Sequence, residues 1–118
     1  MADNDKLFLV VRRDLPVPQQ AVQAAHALQE LNMNYPESAG SWHRVSNHLA
    51  LLDVPDERAL ADLLRKAARQ GVPVCGFREP DRGDELTAIA LAPCPAAKRL
   101  CRGLPLALSA FPPVYEGL

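Results

Sequence analysis

The sequence has no glycine loop of the kind that cradles phosphate. Neither GxGxxG nor GxxxxGK occurs in its 118 residues, which removes the two common nucleotide-binding mechanisms. HExxH and GxSxG are also missing, and with them the helix-borne zinc site and the nucleophile elbow. Cysteine is scarce: Cys75, Cys94 and Cys101 are an odd number without a CxxC pair. They read as reduced thiols in a cytoplasm, acting as small buried apolar residues, with a metal or nucleophile role as the alternative. The histidines are scattered at 26, 43 and 48. His43 and His48 lack a third ligand at sensible spacing, so no metal site is expected. No charge of one sign dominates. The formal net charge is -1, which argues against a non-specific nucleic-acid binder and leaves room for a local basic patch. The start, MADNDK, has no apolar signal core, and no apolar run reaches the ~18 residues of a membrane span.

What remains is an ordinary globular composition, 48% hydrophobic and 23% charged, in a chain of one-domain length. We expect a single domain over residues 1–108 and a surface tail over 109–118. KLFLVV at 6–11 is apolar without alternation and suits a strand covered on both faces. Arg12, Arg13 and Asp14 end it. Pro16 and Pro18 block strand continuation, and Pro18 fits a first helical position. Val17, Ala21, Ala24, Ala25, Leu28 and Leu31 then recur at helical spacing and are expected to face the sheet. Gln19, Gln23, His26 and Glu30 share the opposite, polar face.

A loop with one short helix at 37–45 follows, then a strand at 48–54. Asp56 is placed to cap a second long helix with the stripe Ala59, Leu60, Leu63, Leu64 and Ala67, ended by Gly71. Strands at 73–77 and 86–91 flank the charged loop REPDRGDE, and a short helix spans 95–101. The alternation predicts an α/β fold: a three-layer α/β/α sandwich with a mixed four-stranded sheet.

LVVRRDL, a helix containing QAAHA, LLDVPDERAL and TAIALAP occur in that order. Together they resemble the type 2 peptidyl-tRNA hydrolases, over residues 6–102. In that family the first strand reads like LVVRTDL, the first helix carries AAQCxHA, a PDE sequence opens the second helix, and the last strand runs TVLxIGP. The resemblance implies a three-layer fold, a homodimer, and cleavage of the ester between a peptide and the terminal ribose of tRNA. It also implies that neither metal nor organic cofactor is used. Arg12, Asp14, Gln23, His26, Asp56, Glu57 and Thr87 match. The family's lysine-rich approach to the first helix is replaced by Val17, Pro18, Gln19 and Gln20, a lysine ending its second strand by Asp53, and its DAGRT loop by REPDRGDE, with Glu79 nearest the aspartate's place.

Ester hydrolysis needs a positioned water, an acceptor for its proton and donors for the developing oxyanion. Glu79 or Asp81 would orient the water, and Thr87 would hold it or the ester. Gln19 and free amides at the first helix start would donate to an oxyanion. Asp14 and His26 complete the catalytic candidates. Arg12, Arg13, Arg78 and Arg82 would contact phosphate, and Gln23 and Asp81 would help bind the peptidyl-tRNA or related RNA end. Each has a structural alternative: Asp14 pairing with Arg12, His26 as a hydrogen-bonded structural residue, Gln23 tying helix to loop, Glu79 and Asp81 as solvated loop charges, Thr87 as a packed β-branched residue. A non-catalytic module binding a protein, a nucleotide or an RNA end is the competing reading.

Overall fold

The computed structural model describes residues 5–110 and 113–115. Four strands, β1 (Lys6–Arg12), β2 (His48–Val54), β3 (Val74–Glu79) and β4 (Glu85–Leu91), form one sheet in the order β2-β1-β4-β3. β1 pairs parallel with β2 and antiparallel with β4, and β4 pairs antiparallel with β3. The carboxyl ends of β1, β2 and β3 and the start of β4 therefore share one rim.

The unbroken apolar run of β1 is explained by cover on both faces. Leu7, Leu9 and Val11 pack with Ala24, Ala27 and Leu31 of α1 (Val17–Asn34) and with Trp42 of α2 (Pro36–Val45). Phe8 and Val10 pack on the other side with Leu60, Leu63 and Ala67 of α3 (Glu57–Arg69) and with Ala97 and Cys101 of α4 (Pro95–Cys101). The three-layer α/β/α sandwich is thus the observed architecture. Asp56 caps α3, its carboxylate accepting from the Ala59 amide at 2.9 Å. Gly71, at φ 75°, supplies the left-handed turn beyond the helix end.

The first helix is rolled relative to the stripe expected from its sequence. Val17 is 60% exposed, and Ala21 and Ala25 also face solvent, while Gln20, Gln23, Ala24, Ala27 and Leu31 are buried. The reason is polar. Gln20 donates to the carbonyls of Leu15 (2.8 Å) and Arg13 (3.3 Å), and Gln23 bonds partners at the sheet rim. The hydrogen bonds these amides make offset part of the cost of burying them, so hydrophobicity alone misplaced this face.

Two irregularities finish the sheet. Phe77 lies opposite Ala88 but Arg78 lies opposite Leu86, so Thr87 is an extra residue in β4. This bulge lets Leu86 join the core under α3 while Thr87 turns toward α1. Along the outer edge of β2, residues 105–107 add a short antiparallel stretch: the Asp53 amide donates to Pro105 (3.1 Å) and the Ala107 amide to Leu51 (2.9 Å).

The rolled helix gives a direct check. Ala24→Leu should cost roughly 1–3 kcal/mol, because it overpacks the α1–sheet contact. Ala25→Leu should stay within about 0.5 kcal/mol. Urea unfolding of the two variants measures both; equal costs would contradict the helix orientation.

Candidate active-site rim

Three polar clusters line the shared rim. Over β1 and β4 lies Arg12, 6% exposed. Its guanidinium forks onto both carboxylate oxygens of Asp14 (2.9 and 3.0 Å) and reaches Glu85 (2.7 Å) and the Leu86 carbonyl (3.2 Å). The Asp14 hydrogen bonds, aided by Glu85, raise the Arg12 pKa above its ordinary value despite the opposing effect of burial.

Over β4 and β3 lies the second cluster. The buried Thr87 hydroxyl lies 2.7 Å from Gln23 Oε1 and 3.3 Å from the Phe77 carbonyl, so its single proton serves one of them at a time. Gln23 Nε2 in turn donates to Glu79 Oε1 at 3.0 Å. One amide thereby links α1, β4 and β3. One helical turn further along, the exposed His26 ring stacks on Phe77, centroids 4.3 Å apart and planes 11° from parallel. Glu79 and Glu85 face each other in the β3–β4 ladder, which joins this cluster to the first.

The third cluster sits over β2. Arg13 lies 3.6 Å from Asp53, a carboxylate with no exposure, and the Tyr115 hydroxyl donates to the other Asp53 oxygen at 2.8 Å. Burial first, and the Asp53 hydrogen bond second, push the Tyr115 phenol up to about 12. A cavity of about 310 Å³ opens beside it, between Arg13, Pro16 and Gln20 on one wall and Leu108 and Ser109 on the other. Neither Asp53 nor Tyr115 was singled out by sequence as a site residue; an aspartate closing an apolar strand was the available clue.

Gln19 is exposed at the start of α1. The helix start offers fewer amides than the sequence suggested. Pro16 and Pro18 have none, and the amides of Gln19 and Gln20 already bond the Pro16 carbonyl, leaving that of Val17 at the first turn. Arg78, near the end of β3, and Asp81, in the loop after it, are exposed; Arg78 donates to the Asp84 carbonyl at 3.4 Å, and Arg82 lies 3.8 Å from Glu85. Among the described residues no three of His, Cys, Asp and Glu gather as a metal site, and no helix is long and apolar enough to cross a membrane.

The sequence model of the peptidyl-tRNA hydrolase PTH2 family matches residues 5–102. The chain belongs to that family. Its fold is similar to that of a protein of unknown function from Agrobacterium tumefaciens strain C58, with a TM-score of 0.64 and 17% identity, covering 90% of this chain and 98% of that one. No curated protein sequence matches it. In this PTH2 chain the Gln23–Glu79–Thr87 and Arg12–Asp14–Glu85 clusters both fall within the matched span, whereas Tyr115 lies beyond it.

The Tyr115 contact predicts a pH effect of definite sign. A phenol at about 12 in the folded chain and about 10 when unfolded favours folding fully below pH 10, and the benefit fades as pH rises from 10 to 12. Tyr115→Phe should therefore be less stable than the parent at pH 8 by about 1 kcal/mol, and the gap should narrow above pH 10. Thermal melts of both proteins from pH 8 to 11 would show a constant gap if the hydroxyl did not bond Asp53.

Proposed function

We propose that this chain hydrolyses the ester between a peptidyl or aminoacyl group and the terminal ribose of tRNA, without metal or organic cofactor. Family membership supports hydrolase chemistry of this kind. The observation that carries the reading is the Gln23 bridge between Thr87 and Glu79. Gln23 holds one oxygen of Glu79, and the other remains to take a proton from an attacking water. Thr87 is fully buried, so its part is positioning: it fixes the Gln23 amide, and with it the carboxylate. Gln19, exposed at the start of α1, supplies a donor to the carbonyl that becomes an oxyanion. Arg12 is buried and engaged, so it positions Asp14 instead of binding phosphate.

Phosphate contacts fall to Arg13, Arg78 and Arg82, with Asp81 at the loop's outer side. The exposed face of His26, stacked on Phe77, suits a platform for the terminal base, a role for which no proton transfer is needed. The proposal extends to a homodimer working in the cytoplasm, with residues 1–108 as the functional domain and 109–118 as its tail.

A second reading, a non-catalytic binding module, is favoured by one observation. Asp53, where the family resemblance places a lysine, is a buried carboxylate, so the rim lacks a positive charge that would favour tRNA.

Incubating the protein with peptidyl-tRNA at low salt and following ester loss separates the two. Turnover should persist with a chelator and fall steeply as salt rises. Gln23→Ala, Asp14→Ala and Glu79→Ala should each reduce kcat at least tenfold, about 1.4 kcal/mol in the barrier, while His26→Ala should act mainly on KM. A parent protein no faster than a buffer blank would leave only the binding module.

A further inference from the structure

A cavity of about 530 Å³ lies at the opposite end of the sheet from the rim. Six residue steps along β1 separate Lys6, in its wall, from Arg12, about 20 Å. Its volume falls in the ordinary range for small-molecule pockets, roughly 300–1,000 Å³.

Its construction follows from strand and helix phase. Lys6 and His48 are direct partners in the parallel β1–β2 pair, so they stand side by side on the α4 face of the sheet. Phe8, two residues on from Lys6, shares that face and forms the floor. From above, Cys94, Lys98, Cys101 and Arg102 line the cavity at the spacing of a single helical face. Burial, then the neighbouring Cys94, pushes the Cys101 thiol up to about 12, so that thiol sits here as neutral, apolar lining.

The mouth has the opposite character. Lys6, Lys98 and Arg102 are exposed there beside His48, and among the described residues Asp5 is the one carboxylate of the lining. Among the described residues none of the three cations has an ion-pair or side-chain hydrogen-bond partner. Exposed cations above an apolar floor describe a ligand with a charged head and a flat apolar body. A carboxylate would neutralise one of them. A phosphate monoester carries about −1.5 to −2 at neutral pH and three acceptor oxygens, a closer fit to three cations.

We propose that this cavity binds a small phosphate monoester with a ring attached, the phosphate held by Lys6, Lys98 and Arg102 and the ring resting on Phe8. The site is separate from the hydrolytic rim and stands whether or not the rim is catalytic. Such a ligand could be a nucleoside monophosphate or a simpler aryl phosphate.

Calorimetric titration at low salt with adenosine monophosphate, phenyl phosphate and adenosine tests the assignment. At least one phosphate ester should bind at least tenfold more tightly than adenosine. Lys98→Glu combined with Arg102→Glu should weaken that binding at least tenfold, and Lys6→Gln should weaken it independently. Gln23→Ala, disabled at the rim, should bind as the parent does, which separates this result from any failure of hydrolysis. Tighter binding of adenosine monophosphate than phenyl phosphate identifies the nucleotide; equal binding identifies the aryl phosphate alone as sufficient. Binding of adenosine as tight as that of the esters, or ester binding unchanged in the charge-reversed protein, overturns the proposal.

Discussion

A guanidinium buried at the end of the first strand must find partners for its donors, and much of the rim is arranged around that demand. Arg12 takes both oxygens of Asp14, one oxygen of Glu85 and the Leu86 carbonyl. Those partners come from the turn after β1 and the start of β4, so satisfying one side chain fixes where two segments meet. The start of β4 has a second tie, the Leu86 amide donating to Glu57 of α3 at 2.8 Å. With the start of β4 held by both ties, the bulge at Thr87 has a defined position, and Thr87 meets Gln23 there. Removing the cation would leave Asp14 and Glu85 facing each other with nothing between them, so the arrangement is strongly coupled.

The rim is therefore built from side chains that hold one another more than from side chains that await a ligand. Gln23 is the joint of this network: its carbonyl faces Thr87 and its amide faces Glu79. On the β2 side the order changes. Asp53 draws in Arg13 from the turn and Tyr115 from the end of the chain, so one cation of the Arg12–Arg13 pair serves each side of the rim.

The strands and helix ends were legible because each depends on local chemistry. Unbroken apolar runs, the Asp56 cap, the Pro16 and Pro18 start and the Gly71 stop placed them close to where they lie. The family was legible from ordered motifs spread along the chain. The roll of α1 was not, because Gln20 and Gln23 look like surface residues until their partners on distant segments are known. The same holds for the bulge, since TAIA reads as plain alternation while the extra residue is defined only against β3. Among the candidates, Asp14 pairs with Arg12, Gln23 ties α1 to β3 and β4 where a tie to a loop was the structural alternative, and His26 stacks on Phe77.

The short stretch at 105–107 also sets a limit on how these sheets can join. It occupies the outer edge of β2 with the chain's own backbone. Among the described residues, the outer edge of β3 is then the one that carries no pairing backbone at all. A sheet with two open edges has a valence of two and can add neighbours without end, the geometry of a fibre. With a valence of one, strand-to-strand pairing of β3 with β3 uses up both available edges, and growth stops at a closed, symmetric pair.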